Sequence, residues 1–139
     1  MGKIRLEIEY DYDFILFGIC SHDKDYRLCW AINQKLGMDF SRSEPIVIAD
    51  KKKNKRTEFP VYHFAEEEIF TDFYIIANKS AGTVLVPEQK QADYFLMVKG
   101  NLTDEEKEGT LKRIRETQNV LTAFEIDPAS LRSRQYFQF

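Results

Sequence analysis

Val86-Pro87-Glu88-Gln89-Lys90-Gln91-Ala92-Asp93-Tyr94 is the stretch on which the reading of the fold turns. Extended, apolar residues flank it, Thr83 to Val86 before and Tyr94 to Val98 after. Pro87 has no amide hydrogen and a φ held at about −65°, which suits the first position of a helical turn. Glu88 and Gln89 then sit where a helix N-terminus favours negative or accepting groups. Asp93 is placed to cap the return into the next strand. There, Tyr94, Leu96 and Val98 point to one face and Phe95 and Met97 to the other. The whole stretch reads as a short, structured crossover between two strands.

Outward from it, Asp72-Phe73-Tyr74-Ile75-Ile76-Ala77 predicts a strand and Asn78-Lys79-Ser80-Ala81-Gly82 a turn. Pro45 to Ala49 and Glu58 to Phe64 predict two more strands, joined by a charged hairpin tip from Asp50 to Arg56. Ala65-Glu66-Glu67-Glu68 is a further loop or short helical turn. Near the start, Ile4, Leu6, Ile8 and Tyr10 alternate with Lys3, Arg5, Glu7 and Glu9, as a half-buried strand does. Asp11-Tyr12-Asp13 reads as a turn. Phe14 to Cys20 is almost wholly apolar and fits a central strand or a short buried helix, because periodicity does not arbitrate over seven residues.

Two helices are expected. The first covers Lys24 to Leu36, with Ser21 or Asp23 accepting from its free amides and Gly37 at its left-handed end. Cys29, Ile32 and Leu36 form its apolar stripe, beside Leu28. The second opens on a capping box, Thr103-Asp104-Glu105-Glu106. Leu111, Ile114, Leu121 and Phe124 extend as its stripe, broken by Thr117 and Gln118, until Asp127-Pro128 ends it. The strands cluster between the helices and most connections are short. The expectation is a single α+β domain over residues 1–139, with a mostly antiparallel, meandering sheet of five or six strands and both helices packed on one face.

Composition narrows the class. The chain has 139 residues, 11 Phe, 7 Tyr and one Trp, a supply of rings that most often builds cores and sheets. Net charge is −3, so no global basic field points to nucleic acid. No segment approaches the roughly 18 apolar residues of a membrane helix, so no membrane partner is expected. Two cysteines, Cys20 and Cys29, and a start without a secretory pattern favour reduced thiols in the cytosol.

The opening stretch resembles the signature of the IPExxxVDY family, small bacterial proteins with no established activity. Pro87, Glu88, Asp93 and Tyr94 match outright; Val86 stands for the Ile and Ala92 for the Val. Asp11-Tyr12-Asp13-Phe14, Gly18-Ile19, Asp25-Tyr26-Arg27-Leu28, Trp30 with Asn33, Asn78-Lys79 and Ile126-Asp127-Pro128 are similar to further family landmarks. The resemblance implies no catalytic residue.

Candidate sites are few. Glu88, Asp93 and Tyr94 are either the frame of the crossover or a polar site, where two carboxylates could serve as acid and base. Lys51, Lys52, Lys53, Lys55 and Arg56 can grip phosphate, or form a solvated tip that discourages edge pairing. Cys20, His22, Cys29 and His63 lack the paired spacing of zinc motifs, and no metal or cofactor is expected. Both thiols read as buried and inert rather than nucleophilic. Asn33, if buried, is expected to satisfy a backbone carbonyl. Leu131, Tyr136, Phe137 and Phe139 make the tail apolar. It docks on its own sheet, or Tyr136, Phe137 and Phe139 reach a second copy or a partner. With no Gly-rich phosphate loop and no nucleophile elbow, the leading expectation is a cytosolic interaction or accessory protein, self-associating or bound to another protein. The alternatives are a small-ligand-binding domain or enzyme around Glu88, Asp93 and Tyr94, and a nucleic-acid binder using the Lys51–Arg56 tip.

Overall fold

The structure, a computed structural model, describes residues 14–139. The strand expected over Ile4–Tyr10 and the turn at Asp11–Asp13 lie outside the described residues. In chain order the elements are β1 (Ile15–Ser21), α1 (Asp25–Leu36), β2 (Ser41–Arg42), β3 (Ile46–Asp50), β4 (Lys55–Phe59), β5 (Val61–Glu66), β6 (Thr71–Ala77), β7 (Lys79–Ser80), β8 (Thr83–Val84), β9 (Tyr94–Lys99), α2 (Asp104–Arg115) and β10 (Val120–Ile126). Short 3-10 turns fill Glu67–Ile69, Pro87–Gln89, Pro128–Ser130 and Arg134–Phe137.

Six strands form one sheet in the order β10-β1-β9-β6-β5-β2, and every neighbouring pair is antiparallel. The α+β expectation holds. The order departs from a plain meander, because β1 is inserted between β9 and β10. Phe14 to Cys20, open between strand and helix in the sequence, is the strand β1.

The central strands are apolar along most of their length, Phe73 to Ala77 and Tyr94 to Val98 among them, because the sheet is covered on both faces. On one face Phe17, Ile19, Phe73, Ile75, Leu96 and Val98 pack with Leu28 and Ile32 of α1 and Ile114 of α2. Both helices therefore lie on that face. On the other, Leu16, Ile76, Phe95 and Met97 meet Phe59, Val61, Leu85, Val86, Leu131 and Phe137. Phe137 is 2% exposed and its ring stands edge-on to Phe95, centroids 5.5 Å apart at 86°. The tail thus docks on its own sheet.

Three sequence expectations need correction. The second helix does not reach Phe124. It ends at Arg115, and Val120–Ile126 is the strand β10. Thr117 turns its hydroxyl back to the Arg113 carbonyl at 2.8 Å, and Asn119 takes a left-handed φ of 67°. Both features close the helix. Residues 122–126 then pair with Cys20 to Leu16, an edge the local spacing of Leu121 and Phe124 could not reveal. Glu58–Phe64 is likewise two strands. Pro60 has no N–H to give to a ladder, and there the chain exchanges β3 as neighbour for β6. Finally, neither Ser21 nor Asp23 caps α1. The position before the helix is Lys24, whose side chain makes no cap bond, while Ser21 Oγ accepts from the Asp23 amide at 3.2 Å.

Local signals elsewhere match their sequence reading. Gly37 closes α1 at φ 67°, with its N–H on the Asn33 carbonyl at 3.0 Å. The capping box of α2 is complete: Glu106 N–H donates to Thr103 Oγ1 at 3.1 Å and Thr103 N–H to Glu106 Oε1 at 2.8 Å.

Candidate functional site

The signature segment is held by one buried side chain. Asn78, 0% exposed, follows β6. Its Nδ2 donates to the carbonyls of Gln89 (3.0 Å) and Ala92 (2.8 Å), and its Oδ1 accepts from Val86 N–H (2.8 Å). Its backbone N–H reaches the Asp93 carbonyl at 3.0 Å, and its own carbonyl accepts from Leu85 N–H at 2.7 Å. One residue thereby brackets the crossover from Leu85 to Asp93. Pro87 opens the 3-10 turn, as its fixed φ requires.

The polar members of the signature face different partners. Glu88 accepts from the N–H groups of Arg132 (2.6 Å) and Ser133 (2.8 Å) and from Ser133 Oγ (3.1 Å), so its carboxylate latches the tail. Burial raises its pKa, but these donors outweigh it and hold the carboxyl below its ordinary 4.5. Asp93 accepts from Ser21 N–H at 2.9 Å and pairs with Lys79 Nζ at 2.8 Å, tying the crossover to the end of β1. Tyr94 lies in the helix-side core, and its hydroxyl donates to the Asp23 carbonyl at 2.6 Å. Burial, then the charges of Asp25, Asp93 and Asp23, push that hydroxyl well above the ordinary tyrosine range. Glu88 is bonded to the tail on one side of the sheet while Tyr94 packs with the helices on the other. The structure does not bring the two to one cavity.

A second polar knot fixes the start of α1. Tyr62 donates to Asp25 Oδ2 at 2.7 Å, and Arg42 lies 3.6 Å from the same oxygen, its guanidinium 5.6 Å over the Tyr62 ring. Burial, then the hydrogen bond to Asp25, push the Tyr62 hydroxyl up to about 12. Asp23 Oδ2 accepts from Asn119 Nδ2 at 3.0 Å, and Ser21 Oγ donates to the Asn119 carbonyl at 2.9 Å. The turn before β10 is thus bound to the turn before α1.

This anchoring decides what α1 shows to solvent. Leu28, Cys29 and Ile32 face the core. Tyr26 and Trp30, one turn apart and therefore neighbours on the helix surface, face out. They are 54% and 60% exposed. With Asp23, Arg27, Gln118 and Asn119 they line an open cleft of about 460 Å³ floored by Ala31. That size falls in the range of ligand and partner pockets. The Arg27 guanidinium is without an ionic or hydrogen-bond partner among the described residues. In this cleft two large exposed rings and an unengaged charge converge. Sequence reasoning placed Tyr26, Arg27 and Trp30 only as landmarks of a resemblance. The signal that marks them is the inner stripe of α1, which leaves their side of the helix uncovered.

The other candidates are dispersed. Lys51–Arg56 occupies the exposed tip of the β3–β4 hairpin, where Lys55 Nζ donates to the Ala81 carbonyl at 3.3 Å and Arg56 lies 3.8 Å from Glu58. Cys20, expected to be buried, is only half-buried and donates to the Gln91 carbonyl at 3.0 Å; Cys29 is buried as expected, and burial pushes its thiol up to about 11. His63 Nε2 meets Asp72 Oδ1 at 2.8 Å, and its ring stacks on Tyr74 at 4.7 Å. Among the described residues no three His, Cys, Asp or Glu side chains are grouped to hold a metal ion. Asn33 does satisfy a carbonyl: its amide exchanges bonds of 3.3 and 2.8 Å with Phe40. In the tail Phe137 is buried, Tyr136 half-buried against the same core, and Phe139, 36% exposed, stacks on Tyr74 at 4.3 Å. No helix among the described residues is long and apolar enough to cross a membrane. A scan against protein-family models finds no match, and no curated protein matches the chain.

Proposed function

We propose that this chain is a cytosolic, non-catalytic interaction protein of the IPExxxVDY kind, and that the Tyr26–Trp30 face of α1 is where a protein partner docks. The observation that carries the reading is the pair of rings, each more than half exposed, flanking Arg27, which has no partner among the described residues, in a cleft of about 460 Å³. Tyr, Trp and Arg are the residues that most often supply the binding energy of protein interfaces, because they bury much area with few rotors and offer directed donors. Leaving a Trp in water wastes that area in the free chain. The carboxylates of the signature support the same reading: Glu88 and Asp93 are both engaged by amides or Lys79 and serve to hold the backbone.

The test uses wild type, Trp30→Ala and Arg27→Glu in parallel affinity capture with quantitative mass spectrometry. Both side chains are exposed, so both variants are expected to fold. A protein retained by wild type and lost by both variants supports the reading. Identical retained sets, or none, refute it. Trp30 is the only Trp, so its fluorescence then reports binding of the purified partner directly.

A further inference from the structure

Two hairpin tips with opposite charge lie at the two ends of the chain that runs from β4 through Pro60 into β5. The first, between β5 and β6, carries Glu66, Glu67 and Glu68 followed by Ile69 and Phe70. From there the register runs Glu66↔Thr71 to Val61↔Ile76. It continues past Pro60, whose carbonyl accepts from Ala77 N–H at 2.9 Å, and past Glu58, whose carbonyl accepts from Ser80 Oγ at 2.7 Å. It ends at the second tip, where Lys55 reaches Ala81. That tip holds Lys51, Lys52 and Lys53, none of them with an ionic partner among the described residues. The three glutamates are equally unpaired there. On the order of 35 Å of extended chain separates the ends, several Debye lengths at physiological salt. The tips cannot neutralise each other within one molecule.

The acidic tip also holds the most exposed large apolar residue described. Phe70 is 89% exposed and Ile69 55%. The turn itself needs no ring: Phe70 contributes only a left-handed backbone, φ 51°, and an N–H to the Glu67 carbonyl. At the far end, Val47 on the outer face of the β3–β4 hairpin is 40% exposed and pairs across the ladder with Glu58. Ala49 stands two residues on from Val47, opposite Arg56.

We infer that the occupant of each tip is the opposite tip of a second copy of this chain. Phe70 and Ile69 of one copy pack on the Val47 face of the other, and Glu66–Glu68 meet Lys51–Lys53. Two arms laid antiparallel satisfy both ends at once and close as a two-fold dimer. The inference builds on the reading of the chain as an interaction protein but uses a surface other than the α1 cleft.

Sedimentation velocity of the full chain over a concentration series tests it. Wild type self-associates, and raising salt from about 50 to about 500 mM weakens association about tenfold or more. Reversal of Glu66, Glu67 and Glu68 to Lys abolishes it, as does reversal of Lys51, Lys52 and Lys53 to Glu. Mixing the two variants restores it, because each reversed tip then meets a complementary one. Phe70→Asn, a residue at ease in the left-handed region, keeps or raises the melting temperature yet weakens association about tenfold or more. A wild type that stays monomeric, or charge variants that associate as well as wild type, overturns the inference. Trp30→Ala, run alongside, leaves self-association unchanged. If it alone abolishes association, the tip contact is wrong while the interaction reading stands.

Discussion

Replacing Asn78 by Ala is the sharpest test of what the signature segment does. The side chain is wholly buried and makes three hydrogen bonds, to Val86 N–H, Gln89 O and Ala92 O. Val86 and Ala92 are each 0% exposed, so water does not easily replace the lost partner. Gln89 is half-buried, and its carbonyl regains water. Leaving a buried donor or acceptor unpaired costs about 1–3 kcal/mol. Two such groups, with one more bond exchanged for solvent, put the loss at about 3–4 kcal/mol, a large part of the 5–15 kcal/mol that holds a typical domain. Equilibrium urea unfolding followed by far-UV circular dichroism measures it. Trp30 fluorescence is the poorer probe, because that ring is already 60% exposed in the folded chain. Asn78→Asp sharpens the result. It keeps the acceptor for Val86 N–H but aims a carboxylate at two carbonyls, with no donor for either. Burial raises the pKa of such an acid in the folded state, so its deficit is largest at neutral pH and shrinks as pH falls. A loss under about 1 kcal/mol for Asn78→Ala would refute the view that Asn78 braces the crossover.

Three further outcomes follow from single contacts. Glu88→Ala releases the tail at a cost of about 1 kcal/mol, discounted because the carboxylate is exposed, and limited trypsin digestion then cuts at Arg132 and Arg134 sooner than in wild type. Since Glu88 has a lowered folded pKa, its contribution is present above 4.5 and is lost as pH falls through the lower folded value; a wild-type advantage over Glu88→Ala that persists in strong acid would contradict this. Gly18→Ala places a Cβ 2.8 Å from Phe124 Cζ and costs about 1–3 kcal/mol, a penalty that Phe124→Leu removes; purely additive melting shifts in the double mutant would show that the ring does not lie over the glycine. Iodoacetamide modifies Cys20 in the folded protein while Cys29, 5% exposed and with its thiol pushed up to about 11, reacts only on unfolding; equal labelling rates by mass spectrometry count against the buried placement.

Interactions between near neighbours along the chain are legible from the residues alone. Thr103 and Glu106 satisfy each other's amides three residues apart, Gly37 alone tolerates the left-handed exit of α1 without a Cβ penalty, and Pro87 sets its own turn. The α+β class was legible too, because period two and period 3.6 are local properties. The rest depends on contacts between distant segments. Leu121 and Phe124 fit a helical stripe as well as a strand, and only the open side of β1, about a hundred residues away in the chain, selected the strand. Glu88 acquired its role from Arg132 and Ser133, 44 and 45 positions on. The exposure of Tyr26 and Trp30 was set by which side of α1 the sheet and the Asp23, Asp25 anchors drew inward. A backbone pattern records the forces acting within a turn or two; which surfaces meet, and which are left to meet another molecule, depends on long-range pairing that spacing does not encode.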